Sequence, residues 1–365
     1  MRDVAVVAFA QSRYVRQDLE LNEVEMLMPV IHDALDRAGI PRKEIGFTVS
    51  GSCDYLAGQP FAFVTALDAV GAWPPIRESH VEMDGAWALY EAWVRLQCGD
   101  VDSALVYAFG KSSLGDIRDV MTLQLDPYNV APLWPDSVAV AALQARAMID
   151  AGKCSERDMA GVAARSRRDA KSNPAAQVIG DFDVEALLAQ PYIASPLRTH
   201  DCPPISDGAA AVVLAAGDLA RRVSKRPAWI TGIDHRIEPH GLGVRDLTQS
   251  PSTTLAAKNA GAFPSKFGPL RFDKGCPFDV MELHAPFTHQ ELILRAALDE
   301  AMHADMIVNP SGGAVAANAV MVAGLARIGE AARHVMMNGA DRVLAHATSG
   351  PCLQQNLVCV MESKP

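Results

Sequence analysis

An α/β fold with a largely parallel or mixed sheet is what the order of apolar segments predicts, and two observations carry that expectation. Short apolar runs alternate along the chain with longer stretches whose apolar residues recur at helical spacing. One run, Gly208 to Ala215, holds no charge and no bulky polar side chain, as expected of a central strand covered on both faces by helices. Ser206-Asp207-Gly208 reads as the turn that enters it.

At 365 residues the chain is long enough for two packed halves around a large core. Its 49% hydrophobic and 21% charged residues are those of an ordinary soluble globular protein, and a net charge of -10 argues against a general nucleic-acid binder. Met1-Arg2-Asp3 leads straight into Val4 to Ala10, too short to span a bilayer and without the layout of a signal peptide, so a cytosolic protein is expected. Seven scattered cysteines without a C-x-x-C pair fit reduced thiols better than a disulfide frame or a zinc site.

In chain order, Val4 to Ala10 reads as the first strand. Asn22 to Ala38 reads as a helix because Met26, Leu27, Val30, Ile31, Ala34 and Leu35 share a face, and Gly39 ends it. A strand is expected near Gly46 to Ser50 and a helix from Phe61 to Val70, broken by Gly71-Ala72-Trp73-Pro74-Pro75. Ser79 to Asp84 reads as the entry to a long helix ending at Gly99, and Asp102 to Gly110 as another strand. Shorter helices, prolines and polar loops from Lys111 to Arg198 suggest an insertion, in which Ser137 to Ala151 is a buried helix. Arg165, Arg167, Arg168 and Lys171 form a basic cluster, either a solvated helix face or a clamp for the phosphates of a cofactor such as coenzyme A. A second strand-to-helix series follows. Strands are expected at Pro227 to Ile233 and Phe278 to Leu283, with a Gly- and Pro-containing loop region running to Pro277 between them. Helices are expected at Thr288 to Ala304 and from Asn309-Pro310-Ser311-Gly312-Gly313 to Ala332, and closing strands at Arg342 to Ala347 and Leu357 to Met361.

The segment His200-Asp201-Cys202-Pro203-Pro204-Ile205-Ser206-Asp207-Gly208-Ala209-Ala210 resembles the D-C-x-P-x-S-D-G-A-A-A signature of the thiolase superfamily. Three more segments resemble thiolase landmarks in thiolase order. They are Val81 to Leu89 for the nucleophile segment, Glu282 to Phe287 for the N-E-A-F or H-D-x-F segment, and Asn309 to Gly324 for the N-x-x-G-G segment. The resemblance is to the sterol-carrier or lipid-transfer type. It implies a five-layered αβαβα fold of two similar halves, residues 1–228 with a loop insertion at about 111–200, and residues 229–365. It also implies pairing of subunits through the strand Asp102 to Gly110 and the helix after Glu82.

Departures from the family pattern bear on the chemistry. Thiolases attack a thioester with a cysteine at a helix N-terminus, where the dipole favours the thiolate. Counting back from Gly99 puts Glu82 at that position, as a helix cap or as a base. The family's catalytic histidine after the glycines is replaced by Ala319, or by Asn318 with a one-residue gap; Asn318 can donate to an enolate oxygen but cannot exchange a proton. His284 is the leading catalytic candidate, able to donate to a thioester carbonyl or to shuttle a proton, and His289 is expected outside the first contact layer or on the surface. Thr348 to Asn356 stands in place of the C-x-G-G-G loop, where Cys352 is a displaced acid/base or a bystander, His346 is a second proton carrier, and Gly350 keeps a backbone N–H edge.

The resemblance thus implies a protein acting on acyl-CoA thioesters, with coenzyme A as part of the substrate and no tightly bound cofactor or metal. Without the nucleophile, non-covalent retro-aldol cleavage of a β-hydroxyacyl-CoA is expected, in lipid or steroid side-chain catabolism. The alternatives are a catalytically silent acyl-CoA-binding or scaffold subunit and an acyltransferase with a displaced nucleophile. Expected binding sites are Arg165, Arg168, Gly312, Gly313 and Gly350. Expected partners are a second copy, a second thiolase-like chain, or a zinc-ribbon/OB-fold companion.

Overall fold

The structure, a computed structural model, describes residues 2–263 and 278–365. The last part of the loop region expected to run to Pro277 lies outside the described residues.

The first half comprises β1 (Val4–Gln11), α1 (Glu23–Ala38), β2 (Phe47–Gly51), α2 (Asp54–Ala57), α3 (Ala62–Val70), β3 (Glu78–Val81), α4 (Gly85–Cys98) and β4 (Ser103–Lys111). A helical region follows, with α5 (Ile117–Thr122), α6 (Ser137–Asp150), α7 (Glu156–Asp169), α8 (Val184–Leu188) and the ribbon β5 (Tyr192–Ala194) and β6 (Leu197–Arg198). The chain then returns to the sheet as β7 (Asp207–Ala216) and leaves it through α9 (Gly217–Val223). The second half comprises β8 (Ala228–Ile237), α10 (Pro251–Asn259), β9 (Val280–Leu283), α11 (Thr288–Ala297), β10 (Ile307–Val308), α12 (Ala323–Asn338), β11 (Arg342–Ser349) and β12 (Gln355–Glu362).

The strand order is β3-β2-β4-β7-β1 followed by β8-β12-β11-β9-β10, so the two halves mirror each other strand for strand. In the first half β2 runs parallel to β3 and β4, whereas β4 with β7 and β7 with β1 are antiparallel. The second half repeats this, β9 being parallel to β10 and β11, and β12 antiparallel to β11 and β8. The halves meet at Ala5 opposite Trp229 and Val6 opposite Ala228. Every residue of β7 is buried, as its small apolar composition requires between two helical layers.

Helices α1 and α3 cover the outer face of the first half, α10 and α11 cover that of the second, and α4 and α12 pack together between the halves. Helix α1 starts where it does because Asn22 and Glu25 cap each other's backbone N–H groups, and it stops at Gly39, whose φ of 62° few other residues adopt. Its Leu27 and Ile31 are fully buried, each contributing about 1.5–3 kcal/mol relative to exposure.

Four expectations are corrected. The second-half helix does not open at Asn309: Asn309, Gly312, Gly313 and Met321 all have positive φ, which a right-handed helix excludes, so α12 begins at Ala323. Glu78 to Val81 belongs to a strand rather than a helix entry, and its polar sequence lacks alternation because it is the short edge strand β3. Helix α11 stops at Ala297, and His303 turns back to hydrogen-bond the Phe278 carbonyl at 2.8 Å. Strand β4 cannot pair with a second subunit, because β2 and β7 occupy both its edges; the open edge of that half is β3.

Candidate active site

The insertion helices close over the ends of the sheet strands and enclose, with them, a cavity of about 590 Å³. Its walls come from α5, α6, α7 and the Thr199 to Ile205 segment on one side. On the other they come from the end of β9, the irregular stretch before α12, and the loop between β11 and β12. His284, Asn318, Gly350 and Cys352 all reach this cavity from segments far apart in sequence.

His284 follows β9 directly, and its backbone N–H donates to the His346 carbonyl at 3.1 Å, which anchors it to β11. The Thr348 N–H donates to His284 Nδ1 at 3.3 Å. A backbone N–H can only donate, so Nδ1 is the bare nitrogen and Nε2 carries the proton. That Nε2–H faces Asn318 Oδ1 at 3.3 Å. Burial, reinforced by the neighbouring His346 and Arg327, holds the ring down to about 3, so it is neutral near pH 7. Asn318 is fixed by its own N–H, which donates to Ser206 Oγ of the signature segment at 3.0 Å. Its Nδ2 has no acceptor among the described residues and is free for a ligand oxygen.

Asp84, not Glu82, is the carboxylate on the cavity wall. It is the N-cap of α4, accepting from Ala86 N at 2.8 Å, and it also accepts from Gly324 N at 2.9 Å and Leu325 N at 3.0 Å in the first turn of α12. Burial pushes its carboxyl up to about 6, against those three N–H groups. Aspartate is a favoured N-cap residue immediately before the first helical position, and that signal was present at Asp84-Gly85. Counting from the helix end aligned Glu82 with the family's nucleophile but not with the cavity. Glu82 is half-exposed, accepts from Asp54 N at 2.7 Å and lies 3.3 Å from His80 Nε2.

Cys352 lies on the wall, its thiol 3.7 Å from the Val140 carbonyl and pushed up to about 12 by burial, so it is a thiol and not a thiolate. Gly350, with φ of 74°, turns the same loop where a Cβ would meet the Gln354 side chain at 2.7 Å. His346 is fully buried away from the cavity and bonds Asn356 Oδ1 at 3.0 Å. Burial holds it at about 4. His289 is likewise buried, not surface, facing Gln144 Oε1 at 3.2 Å.

The basic cluster divides. Arg165 donates to both oxygens of buried Glu291, at 2.7 and 2.6 Å, and that carboxylate also accepts from Asn309 Nδ2; an arginine so paired is no phosphate clamp. Arg168 is exposed and paired with Asp169 at 2.9 Å. The cluster member that reaches the cavity is Arg167. Gly312 and Gly313 are buried off the cavity, where Cβ atoms would strike Ala170 and Asn309, and the Gly312 carbonyl accepts from Ser166 Oγ of α7. Their small size lets this loop pack on the insertion and the Asn309 side chain; neither contacts the cavity.

No family model matches the chain. It is 26% identical over 338 residues to an acetyl-CoA acetyltransferase of Methanothermobacter thermautotrophicus, covering 86% of this chain and 85% of that protein. It is 27% identical over 236 residues to the benzoylsuccinyl-CoA thiolase subunit BbsB of Thauera aromatica, covering 58% and 59%. A shorter match, 33% over 143 residues, is to the 17-hydroxy-3-oxo-4-pregnene-20-carboxyl-CoA lyase of Mycobacterium tuberculosis, covering 36% and 37%. Among solved structures, the Ltp2-ChsH2(DUF35) aldolase superposes with a TM-score of 0.79 at 17% identity, over 99% of this chain and 98% of that one. The chain has the thiolase fold. Human mitochondrial 3-ketoacyl-CoA thiolase superposes on it with a TM-score of 0.76 at 15% identity, over 100% and 99%. The names of the sequence relatives support membership of the thiolase superfamily, and the structural likeness shows the fold. Among the described residues of this thiolase-like chain, no helix is long and apolar enough to cross a membrane.

Proposed function

We propose that this protein cleaves a C–C bond of a β-hydroxyacyl-CoA without forming an acyl-enzyme. The observation that carries the reading is the pairing of a neutral His284, its Nε2–H fixed by the Thr348 N–H on Nδ1, with Asn318 on the cavity wall. Asp84 stands at the start of α4, and burial keeps both cysteines of the cavity wall, Cys202 and Cys352, as protonated thiols. Two neutral donors suit a developing oxyanion, and a carboxylate near 6 suits a general base at neutral pH.

In this reading Asp84 takes the β-hydroxyl proton. The Cα–Cβ bond breaks, the hydroxyl-bearing carbon leaves as a ketone or aldehyde, and the electron pair moves into the thioester as an enolate. The enolate oxygen replaces Asn318 Oδ1 as the acceptor of the His284 Nε2–H and also accepts from Asn318 Nδ2–H. Asp84 then returns its proton to Cα, giving the shortened thioester. The names of a lyase relative and an aldolase neighbour support the reaction class, and that neighbour's two-component name supports a companion chain. A second copy of this chain is the other candidate partner. A cytosolic location and a division at residues 228 and 229 belong to the same proposal.

The test is to incubate the protein, alone and with a zinc-ribbon/OB-fold companion, with β-hydroxyacyl-CoA compounds and look for a carbonyl product with a shortened acyl-CoA. Thiolysis of a 3-ketoacyl-CoA that depends on free CoA and leaves an acylated cysteine would overturn it. Thioester binding with no turnover under either condition would leave a binding subunit.

A further inference from the structure

Arg167 has a charge without a counterpart. It lies on α7 with 8% of its surface exposed and forms part of the cavity wall. Among the described residues its guanidinium makes no hydrogen bond or ion pair, its Nε is buried without a hydrogen-bond partner, and its guanidinium carbon sits over the Phe182 ring, 5.1 Å from the centroid. The nearby acid, Asp201, accepts from Arg198 N and Thr288 Oγ1, and it is outside ion-pair distance of Arg167. Burial lowers the Arg167 pKa, with Asp201 opposing. The His200 ring is buried, with its Nε2 3.5 Å from Asp201 Oδ2 and no hydrogen bond to either nitrogen among the described residues.

The other basic side chains nearby are answered. Arg118, also on the cavity wall, pairs with Asp136 at 3.2 Å, Arg165 with Glu291, Arg168 with Asp169, and Lys171 with Asp181. A buried cation is strongly disfavoured unless an anion completes it. Resting on the thioester reading above, we infer that the acyl group of the ligand ends in a carboxylate, which Arg167 receives. A planar guanidinium matches one carboxylate through two parallel hydrogen bonds. The phosphates of a CoA carrier bear several charges, and one unpaired arginine beside the Phe182 ring does not balance them, the wall's other arginine, Arg118, being paired with Asp136.

The test is calorimetric titration of the full chain with free CoA, succinyl-CoA and the terminal amide of succinyl-CoA, which has nearly the same shape without the charge. The wild-type protein is expected to bind the acid about 10- to 100-fold more tightly than the amide. Arg167→Met is expected to bring the two within about 3-fold while leaving the affinity for free CoA and for the amide unchanged. The ligand-free variant is expected to melt at the same or a higher temperature, since it loses an uncompensated buried charge. Arg167→Gln, which keeps donors but not charge, is expected to lose the discrimination as well. Equal binding of acid and amide by the wild type would overturn the inference and leave the thioester reading standing. Equal weakening of free CoA and succinyl-CoA in Arg167→Met would assign the guanidinium to a CoA phosphate, and a large fall in melting temperature would assign it to the fold. Failure of all three compounds to bind the wild type would remove the thioester reading and this inference with it.

Discussion

Replacing His284 by asparagine and by alanine separates its two nitrogens. Asparagine Oδ1 takes the position of imidazole Nδ1 and can still accept from the Thr348 N–H, whereas alanine leaves that buried donor without an acceptor. An orphaned buried N–H costs about 1–3 kcal/mol, so His284→Ala should lose that much stability in urea unfolding, and His284→Asn should lose about 1 kcal/mol or less. Both variants lack the Nε2–H that faces Asn318, and removal of one oxyanion donor lowers kcat by about 10²–10³. Turnover should therefore fall alike in both while stability differs. The neutral ring also predicts a pH profile: with burial holding His284 at about 3, no limb between pH 5 and 8 should belong to it. Assays of C–C cleavage with each variant, paired with urea midpoints and a pH series, would check all three. Turnover in His284→Asn within 10-fold of wild type, or a limb near pH 6.5 that this variant abolishes, would refute the donor role.

Asp84, pushed up to about 6, should give a rate that rises with pH to about 6 and then levels, and Asp84→Asn should lower turnover about 10²–10⁴-fold and remove that limb. The folded state binds the Asp84 proton more tightly than the unfolded chain, so its share of stability is full below about pH 4 and declines as pH rises to about 6; urea titrations of the variant should lack that decline. Cys352, pushed up to about 12, should react slowly with iodoacetamide at pH 7.5 and faster as pH rises, with cleavage persisting in Cys352→Ser. Arg165→Met removes the Nη2 donor that bridges both Glu291 oxygens but leaves Asn309 Nδ2 and, at 3.6 Å, Arg295, so it should cost about 1.5–3 kcal/mol in urea unfolding without altering CoA binding, whereas exposed Arg168→Ala should change stability by about 0.5 kcal/mol or less.

The sequence by itself determined the central elements, because local pattern and burial agree there. The uncharged run from Gly208 to Ala215 could only be covered on both faces, and β7 is buried along its whole length. Asn22, Glu25 and Gly39 bound α1 through contacts within a turn. His284 and Asn318 were legible as candidates because each sits in a landmark segment. Tertiary structure decided what each charge is for. Arg165, Arg167 and Arg168 are neighbours in sequence, yet rotation about α7 aims one at Glu291, one into the cavity and one at solvent. Only folding brings Gly324 and Leu325 to Asp84, so a carboxylate that reads as an ordinary cap of one helix holds the starts of two and lines the cavity. Glu82, two residues away, turns outward because the backbone leaves β3 there and side chains separated by that turn do not share a face. Identity and spacing are local properties; partner and burial are set by contacts between segments hundreds of residues apart.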